Sequence, residues 1–443
     1  MKKRNSRAAL VVLTAMMAMN SPCLAADAAS SPQQTTITLD EALRLTREHN
    51  PRSLQATEEV RAAEAKVTES RSGFFPQVSA KGGYTYIDPV SEVNFGGNSL
   101  KFMPNDNYDA KITAEMMLFD FGRTGRQVDI AKSGKAAAGI RRDLAVRDLS
   151  LATVRAFYSV MFLQEAVRVQ NKEIAALQRN LDHMQKRYQE GASTRYDLLT
   201  TQVRLAAAGN RKIDLQNQLE NQQISLRRLC GLKGDAPLAL KGSFDATAAD
   251  SDMKKLTDAA LDHRPEVMLS RENARAASYR KSLAAKEGMP KIVGAASWGS
   301  TNGYQPDINE MRTNLMAGVQ LQIPIFSGFR TKASTSEATA MMHAAEQARI
   351  DTEELAQAEV TQSINTLRTS REKIDTTSLQ VSQADLAAQH ARLRYQNGLG
   401  TTLDLLDAEA SLAQAELANL QARYEYVLDA YNVRRAAGDL IDH

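Results

Sequence analysis

Residues 187–199 read RYQEGASTRYDLL, and residues 394–406 read RYQNGLGTTLDLL, the same phrase written 207 positions apart. Each copy ends a helix-forming run, breaks at a glycine and restarts on hydroxyl residues followed by an aspartate. Gly191 and Gly398 permit the left-handed backbone that reverses a helix. Thr194 in the first copy, and Thr401 or Thr402 in the second, can cap the returning helix, with Asp197 and Asp404 in its first turns. Two helical hairpin tips imply a duplicated helical body.

The duplication extends on both sides of the phrase. HNPRSLQATEEVRAAEAKV starts at His49 and HRPEVMLSRENARAASYRK at His263, placing Pro51 against Pro265 and Pro76 against Pro290, both 214 apart. LFDFGR at 118–123 faces IFSGFR at 325–330, with Phe119 and Phe326 again 207 apart, so the first half carries seven extra residues between Pro76 and Phe119. No proline falls between Pro104 and Pro237, and none follows Pro324. Helix interiors reject proline, and these stretches are rich in good helix formers. Long helices are therefore expected over 122–188 and 330–395, each on the order of 100 Å at ~1.5 Å per residue. Shorter ones should return over 197–230 and 402–437. Helices this long pack as coiled coils.

Four segments follow a different period. In QVSAKGGYTY, Val78, Ala80, Gly82, Tyr84 and Tyr86 share one face. In NYDAKITAEMML, Tyr108, Ala110, Ile112, Ala114, Met116 and Leu118 alternate with Asn107, Asp109, Lys111, Thr113 and Glu115. RTNLMAGVQLQIPIF repeats the pattern with Leu315, Ala317, Val319, Leu321, Ile323 and Ile325, and KIVGAASWGS does so more weakly. Period two marks strands, and runs of this length match tilted membrane strands. Of 24 aromatic residues, 13 fall within 74–121 and 289–330, as interfacial girdles would place them. The alternative is a soluble hairpin with one buried face.

The remaining composition narrows the function. A net charge of +3 with no basic run beyond the N-terminus gives no case for nucleic acid. Residues 1–26 read as a signal peptide, with a basic MKKRNSR, an apolar AALVVLTAMMAM and cleavage near Ala26, Ala25 or Ala28 being the neighbouring choices. A retained anchor is the alternative, although the run is short for a span. Cys23 leaves with that segment, and Pro22 before it argues against lipidation; Cys230 alone can form no internal disulfide. There is no phosphate loop, GxSxG or HExxH, and the six histidines show no metal-ligand spacing. No enzyme activity, cofactor or metal is expected.

Four strands cannot close a barrel, and open edges are not tolerated in lipid. Three copies would pool 12 strands into one barrel with room for a wet lumen. The fold class is thus mainly α with membrane β: an internally duplicated, antiparallel coiled-coil barrel, with four strands per protomer given to a shared trimeric β-barrel. The expected parts are 1–26 as signal peptide and 27–234 as first repeat, with a helix, strands 77–87 and 107–119, and helices 122–188 and 197–230. A linker or equatorial segment over 235–258 leads to the second repeat, 259–443, with a helix, strands 291–300 and 313–325, and helices 330–395 and 402–437.

At this point the chain resembles the TolC-like outer-membrane efflux and secretion channels. TLDEALRLTREHNPRSLQA, FFPQVSAKGGYTY, LFDFGRTGRQV, the doubled tip phrase, LQIPIFSGFR and YEYVLDAYNVRRAAGDL carry the resemblance across nearly the whole mature chain. It implies a homotrimer in the outer membrane of a Gram-negative bacterium, with a helical tunnel crossing the periplasm. The partners implied are a periplasmic adaptor (a membrane fusion protein), an inner-membrane RND or ABC transporter, and outer-membrane lipid. The rival classes are a periplasmic coiled-coil adaptor and a structural binding protein without a channel.

The resemblance also assigns the tip residues. It puts the turns at Gly191, Gly398 and Gly400 at the tunnel's periplasmic end, against the adaptor. Asp404 and Asp407, three apart on one helix face, would line the entrance, and three copies would set six carboxylates there as a cation-attracting ring, raising one another's pKa by crowding. Tyr395 and Asp197 would join in the links that hold the gate shut. Where the family's better-known members carry an arginine two residues after the second glycine, this chain has Gly400, which puts one such link in doubt.

Overall fold

In a computed structural model, residues 36–96, 98–233, 238–244 and 252–439 are described. The expected signal peptide and part of the linker lie outside the described residues. In chain order the elements are β1 (Thr36–Ile37), α1 (Leu39–His49), α2 (Pro51–Arg71), β2 (Gln77–Tyr86), β3 (Glu92–Phe95), β4 (Asn98–Lys101), β5 (Asp106–Phe119), α3 (Arg123–Gln189) and α4 (Arg195–Cys230). There follow β6 (Ala239–Leu240), α5 (Met253–His263), α6 (Pro265–Lys286), β7 (Lys291–Thr301), β8 (Arg312–Gln322), α7 (Arg330–Gln396) and α8 (Thr402–Ala436).

The helix preceding each strand pair is broken in two. Pro51 and Pro265 open α2 and α6, and the residues before them, Asn50 and Arg264, are extended as a residue before proline must be. The breaks have matching partners. Gly231 ends α4 in the left-handed region, and a Cβ there would lie 2.7 Å from that of His49. Gly438, 207 residues on, would meet Arg264 N at the same distance. Each repeat therefore docks its last helix on its own proline break. Around the first dock, Ile37, Leu43, Val154, Phe157, Val160, Leu226 and Val427 form the main core, sealed by the parallel pair β1–β6.

The strands of both repeats join in one antiparallel sheet, in the order β2-β5-β7-β8. The register carries a single apolar face across all four. Ala80 pairs with Ile112, Ile112 with Trp298 and Trp298 with Leu315; one step along, Val78, Ala114, Ala296 and Ala317 line up. The other face is polar, with Ser79 and Thr113 bonded at 2.8 Å and Lys81 opposite Lys111. The apolar face is uncovered: Val78, Leu315 and Val319 are about two-thirds or more exposed, and Ile325 just beyond β8 almost wholly so. The seven extra residues of the first half accompany the hairpin β3–β4, which lies between the expected strands 77–87 and 107–119.

Aromatics mark both ends of the sheet. Tyr84 and Tyr108 stack 5.2 Å apart near one end. Where strands become helices, Phe119 meets Phe121 at 4.8 Å and Phe326 meets Phe329 at 5.6 Å. Here Phe121–Gly122 and Gly328–Phe329 swap residue order, yet both positions of each pair have positive φ. A left-handed step is so uncommon for Phe that something must hold it. In the first repeat Asp120 does. Its Oδ1 accepts Gly122 N at 2.9 Å and Arg123 N, and its Oδ2 accepts Thr124 N at 2.7 Å and the Thr124 hydroxyl at 2.6 Å. Lys286 donates to Phe121 O, and Arg123 donates to the carbonyls of Lys286 and Met289, tying α6 to the start of α3. Asp120→Ala should cost about 2 kcal/mol, the upper range for a lost cap. The urea midpoint of the detergent-solubilised protein measures it, and an unchanged midpoint would show that the junction holds itself.

Candidate functional site

At the far end of the long helices, the two copies of the phrase fold alike. In the first turn Ala192 N donates to Arg187 O at 2.7 Å and Gly191 has φ 74°. In the second, Leu399 N donates to Arg394 O at 2.8 Å and Gly398 has φ 73°. These are left-handed helix termini of the kind glycine favours. Each leading arginine then clamps its own turn: Arg187 Nη2 reaches Ala192 O at 3.3 Å, and Arg394 Nη2 reaches Leu399 O at 3.2 Å. That role went unread in the sequence, although the repeated RYQ signalled it.

The restarts are reciprocal capping boxes. Thr194 Oγ1 accepts Asp197 N at 3.2 Å, and the Asp197 carboxylate accepts the Thr194 hydroxyl at 2.7 Å and its N–H at 3.3 Å. In the second repeat Thr401, not Thr402, accepts Asp404 N at 3.1 Å, and Asp404 accepts Thr401 N at 3.0 Å. The crowding expected to raise the Asp404 pKa would come from three copies. Within the protomer Asp404 is held below the usual range, first by the Thr401 N–H bond and then by its hydroxyl. Asp197 is lowered too, chiefly by the Thr194 hydroxyl.

Asp407 lies one turn along α8 and points to a different partner. Arg204 Nη1 of α4 donates to its Oδ1 at 2.7 Å. The two expected gate residues are not joined in the protomer. Asp197 bonds Thr194 and Ser193, whereas the Tyr395 hydroxyl accepts from Arg187 at 3.5 Å, with that guanidinium 5.7 Å from the ring centroid. Gly400 has ordinary φ, but a Cβ on it would press on Arg394 Cβ and Tyr395 N, each at 3.3 Å. An arginine there would have to loosen the turn that Arg394 clamps.

The two tips are held together from inside. Met184, 1% exposed, receives Ser193 Oγ of the first turn at 3.5 Å and Thr402 Oγ1 of the second at 3.7 Å. Just above, Leu177, Ala208 and Leu406 form a small core joining α3, α4 and α8, flanked by Leu205. Among the described residues no cluster of three or more His, Cys, Asp or Glu could hold a metal ion. Nor is any described helix long and apolar enough to cross a membrane.

Comparison with known proteins gives this geometry a setting. The family described as outer membrane efflux protein matches residues 42–232 and 256–439, nearly all of both repeats. The chain is 24% identical to the alkaline protease secretion protein AprF of Pseudomonas aeruginosa, over 89% of this chain and 82% of that one. It is 23% identical to the outer membrane protein TolC of Vibrio cholerae, over 89% of each. Among solved structures, the Campylobacter jejuni outer membrane channel CmeC superposes with a TM-score of 0.81 at 17% identity, covering 90% of this chain and 85% of that one. The Vibrio cholerae outer membrane protein VceC gives 0.77 at 20% identity, covering 90% and 96%.

Proposed function

The chain belongs to the outer membrane efflux protein family, and from that premise we propose that three copies close one barrel and form the exit duct for an inner-membrane transporter reached through a periplasmic adaptor. The protein is an outer-membrane channel that extends into the periplasm, serving efflux or type I secretion. Its work is passage rather than catalysis.

One observation supports the trimer best. The four-stranded sheet ends in β2 on one side and β8 on the other, with no further strand bonded to either among the described residues. Lipid offers no water to satisfy those edges, so another chain must. The family's 12-stranded barrel arises if β8 of one copy pairs with β2 of the next. The apolar face then meets lipid, and the polar face, with Lys81, Lys111, Asp109 and Glu115, meets the lumen. Among the described residues no core buries the apolar face, which counts against a soluble adaptor or binding protein.

At the periplasmic tip, Asp404 and Asp407 from each copy would surround the entrance, with the turns at Gly191, Gly398 and Gly400 presented to the adaptor. Tyr395 and Asp197 would act in gate links between neighbouring chains. The purified protein in a planar bilayer tests these assignments together. The wild type should conduct as a trimer and be blocked by trivalent cations from the periplasmic side. Asp404→Ala with Asp407→Ala should weaken that block at least tenfold, since most of its negative charge is gone. A water-soluble monomer that conducts nothing would overturn the duct, and unchanged block in the double variant would overturn the ring.

A further inference from the structure

Several acidic residues of α8 are matched by cations, while Asp429 is bonded to Ser370 and Asn432. Glu409 is paired with Arg392 at 3.0 Å, Glu416 with Lys172 at 3.4 Å and Glu425 with Lys373 at 3.3 Å. Asp407 takes Arg204 at 2.7 Å from the other repeat, 203 residues earlier in the chain. Asp404 differs: its carboxylate is bonded to the Thr401 backbone, as part of a cap. The two acids of the entrance are therefore unequal.

We propose that Arg204 is a selectivity-determining residue of the tunnel mouth. By cancelling Asp407 it leaves Asp404 as the carboxylate that acts on passing ions. This rests on the exit-duct reading and deepens it. The geometry is built rather than incidental. Next to Arg204 in sequence, Leu205 packs on the core of Leu177, Ala208 and Leu406, and Leu406 immediately precedes Asp407. Ala208 and Leu406 are at most 2% exposed. That core fixes the backbones on either side of the ion pair, so the guanidinium finds the carboxylate without ordering a free helix.

The charge count per chain follows. Asp404, Asp407 and Arg204 together carry −1. Arg204→Gln leaves two negatives, and Asp407→Asn leaves one negative and one positive. The first variant should become more cation-selective and the second less so, opposite shifts from breaking the same bond. A merely structural bridge would send both the same way.

The experiment is the reversal potential of single trimers under a KCl gradient near 0.1 M. Arg204→Gln should raise the K⁺ to Cl⁻ permeability ratio by about twofold or more, and Asp407→Asn should lower it by a similar factor. Arg204→Lys, which keeps the charge, should match wild type and thereby exclude a folding artefact. The shift should fade near 1 M salt, where screening falls to about 3 Å from about 10 Å. Conducting wild-type trimers with an unchanged ratio in Arg204→Gln, or with both neutral variants shifted alike, overturn the role of Arg204 alone. A wild type that never conducts overturns the exit duct instead.

Discussion

Gly299→Val is expected to abolish assembly of the channel. Gly299 lies opposite Lys111 at the seam where β7 of the second repeat meets β5 of the first. A Cβ there would sit 2.1 Å from Ala110 O and 2.6 Å from Lys111 Cα. Both are backbone atoms of a bonded strand, and neither can rotate away. The ladder must part or slip, and a one-residue slip would turn the apolar face of β7 toward the lumen. The expected cost is roughly 4 kcal/mol or more, the range reserved for such defects. On a gel of unheated samples the band of the proposed trimer should vanish, and the outer-membrane fraction should lose the protein. Ser297→Val, two residues away on the same polar face, adds no Cβ and should keep both. A trimer band of normal strength in Gly299→Val would mean that the seam opens in the assembled barrel.

That seam shows what sequence alone conveys. The alternation in each strand was legible because lipid and lumen demand opposite surfaces. Apolar residues read from the pattern fall on the shared face, as Ile112 does between Ala80 and Trp298, except that Leu118 sits at a register shift and Ile323 and Ile325 lie past the end of β8. Pairing β5 to β7 was not legible, since it joins strands separated by two long helices and no local residue encodes the match. The proline breaks were visible at Pro51 and Pro265, yet a single helix was expected there; what makes each break a dock is Gly231 or Gly438, some 180 residues downstream. At the tips the glycines, Thr194 and Thr401 were readable because caps are local chemistry. Arg204 was not, because its carboxylate is reached only when two helices from different repeats settle in register. The cap that lowers the Asp404 pKa within the protomer was local and readable, whereas crowding by the other copies belongs to the assembly and not to one chain's spacing.

Glu266→Gln should be the most destabilising change in the helical body. Glu266, in the first turn of α6, accepts Arg147 of α3 through both oxygens, at 2.6 and 2.8 Å, and Arg264 at 3.1 Å. Arg264 continues to Glu359 of α7 at 2.5 Å, which Arg435 of α8 meets at 3.4 Å. Arg147 and Arg264 are 2% and 4% exposed, and Arg147 Nε and Arg264 Nη1 already lack a partner in the structure. Removing the carboxylate charge leaves buried Arg147 with only the exposed Asp148, at 3.0 Å, and Arg264 with only Glu359, at a cost of about 3 kcal/mol. Glu416→Gln, which breaks the more exposed pair with Lys172, should move the urea midpoint hardly at all. The network also sets an acid limit. Burial pushes the Glu266 carboxyl up, but the bonds from Arg147 and its charge override this and hold it down at about 2. A carboxyl depressed from 4.5 contributes its full stability above that value and loses it as pH falls toward 2. Between pH 5 and pH 3 the wild-type urea midpoint should therefore decline more steeply than that of Glu266→Gln, which has no proton to take up there. Parallel declines would show that Glu266 does not carry the acid sensitivity of this junction.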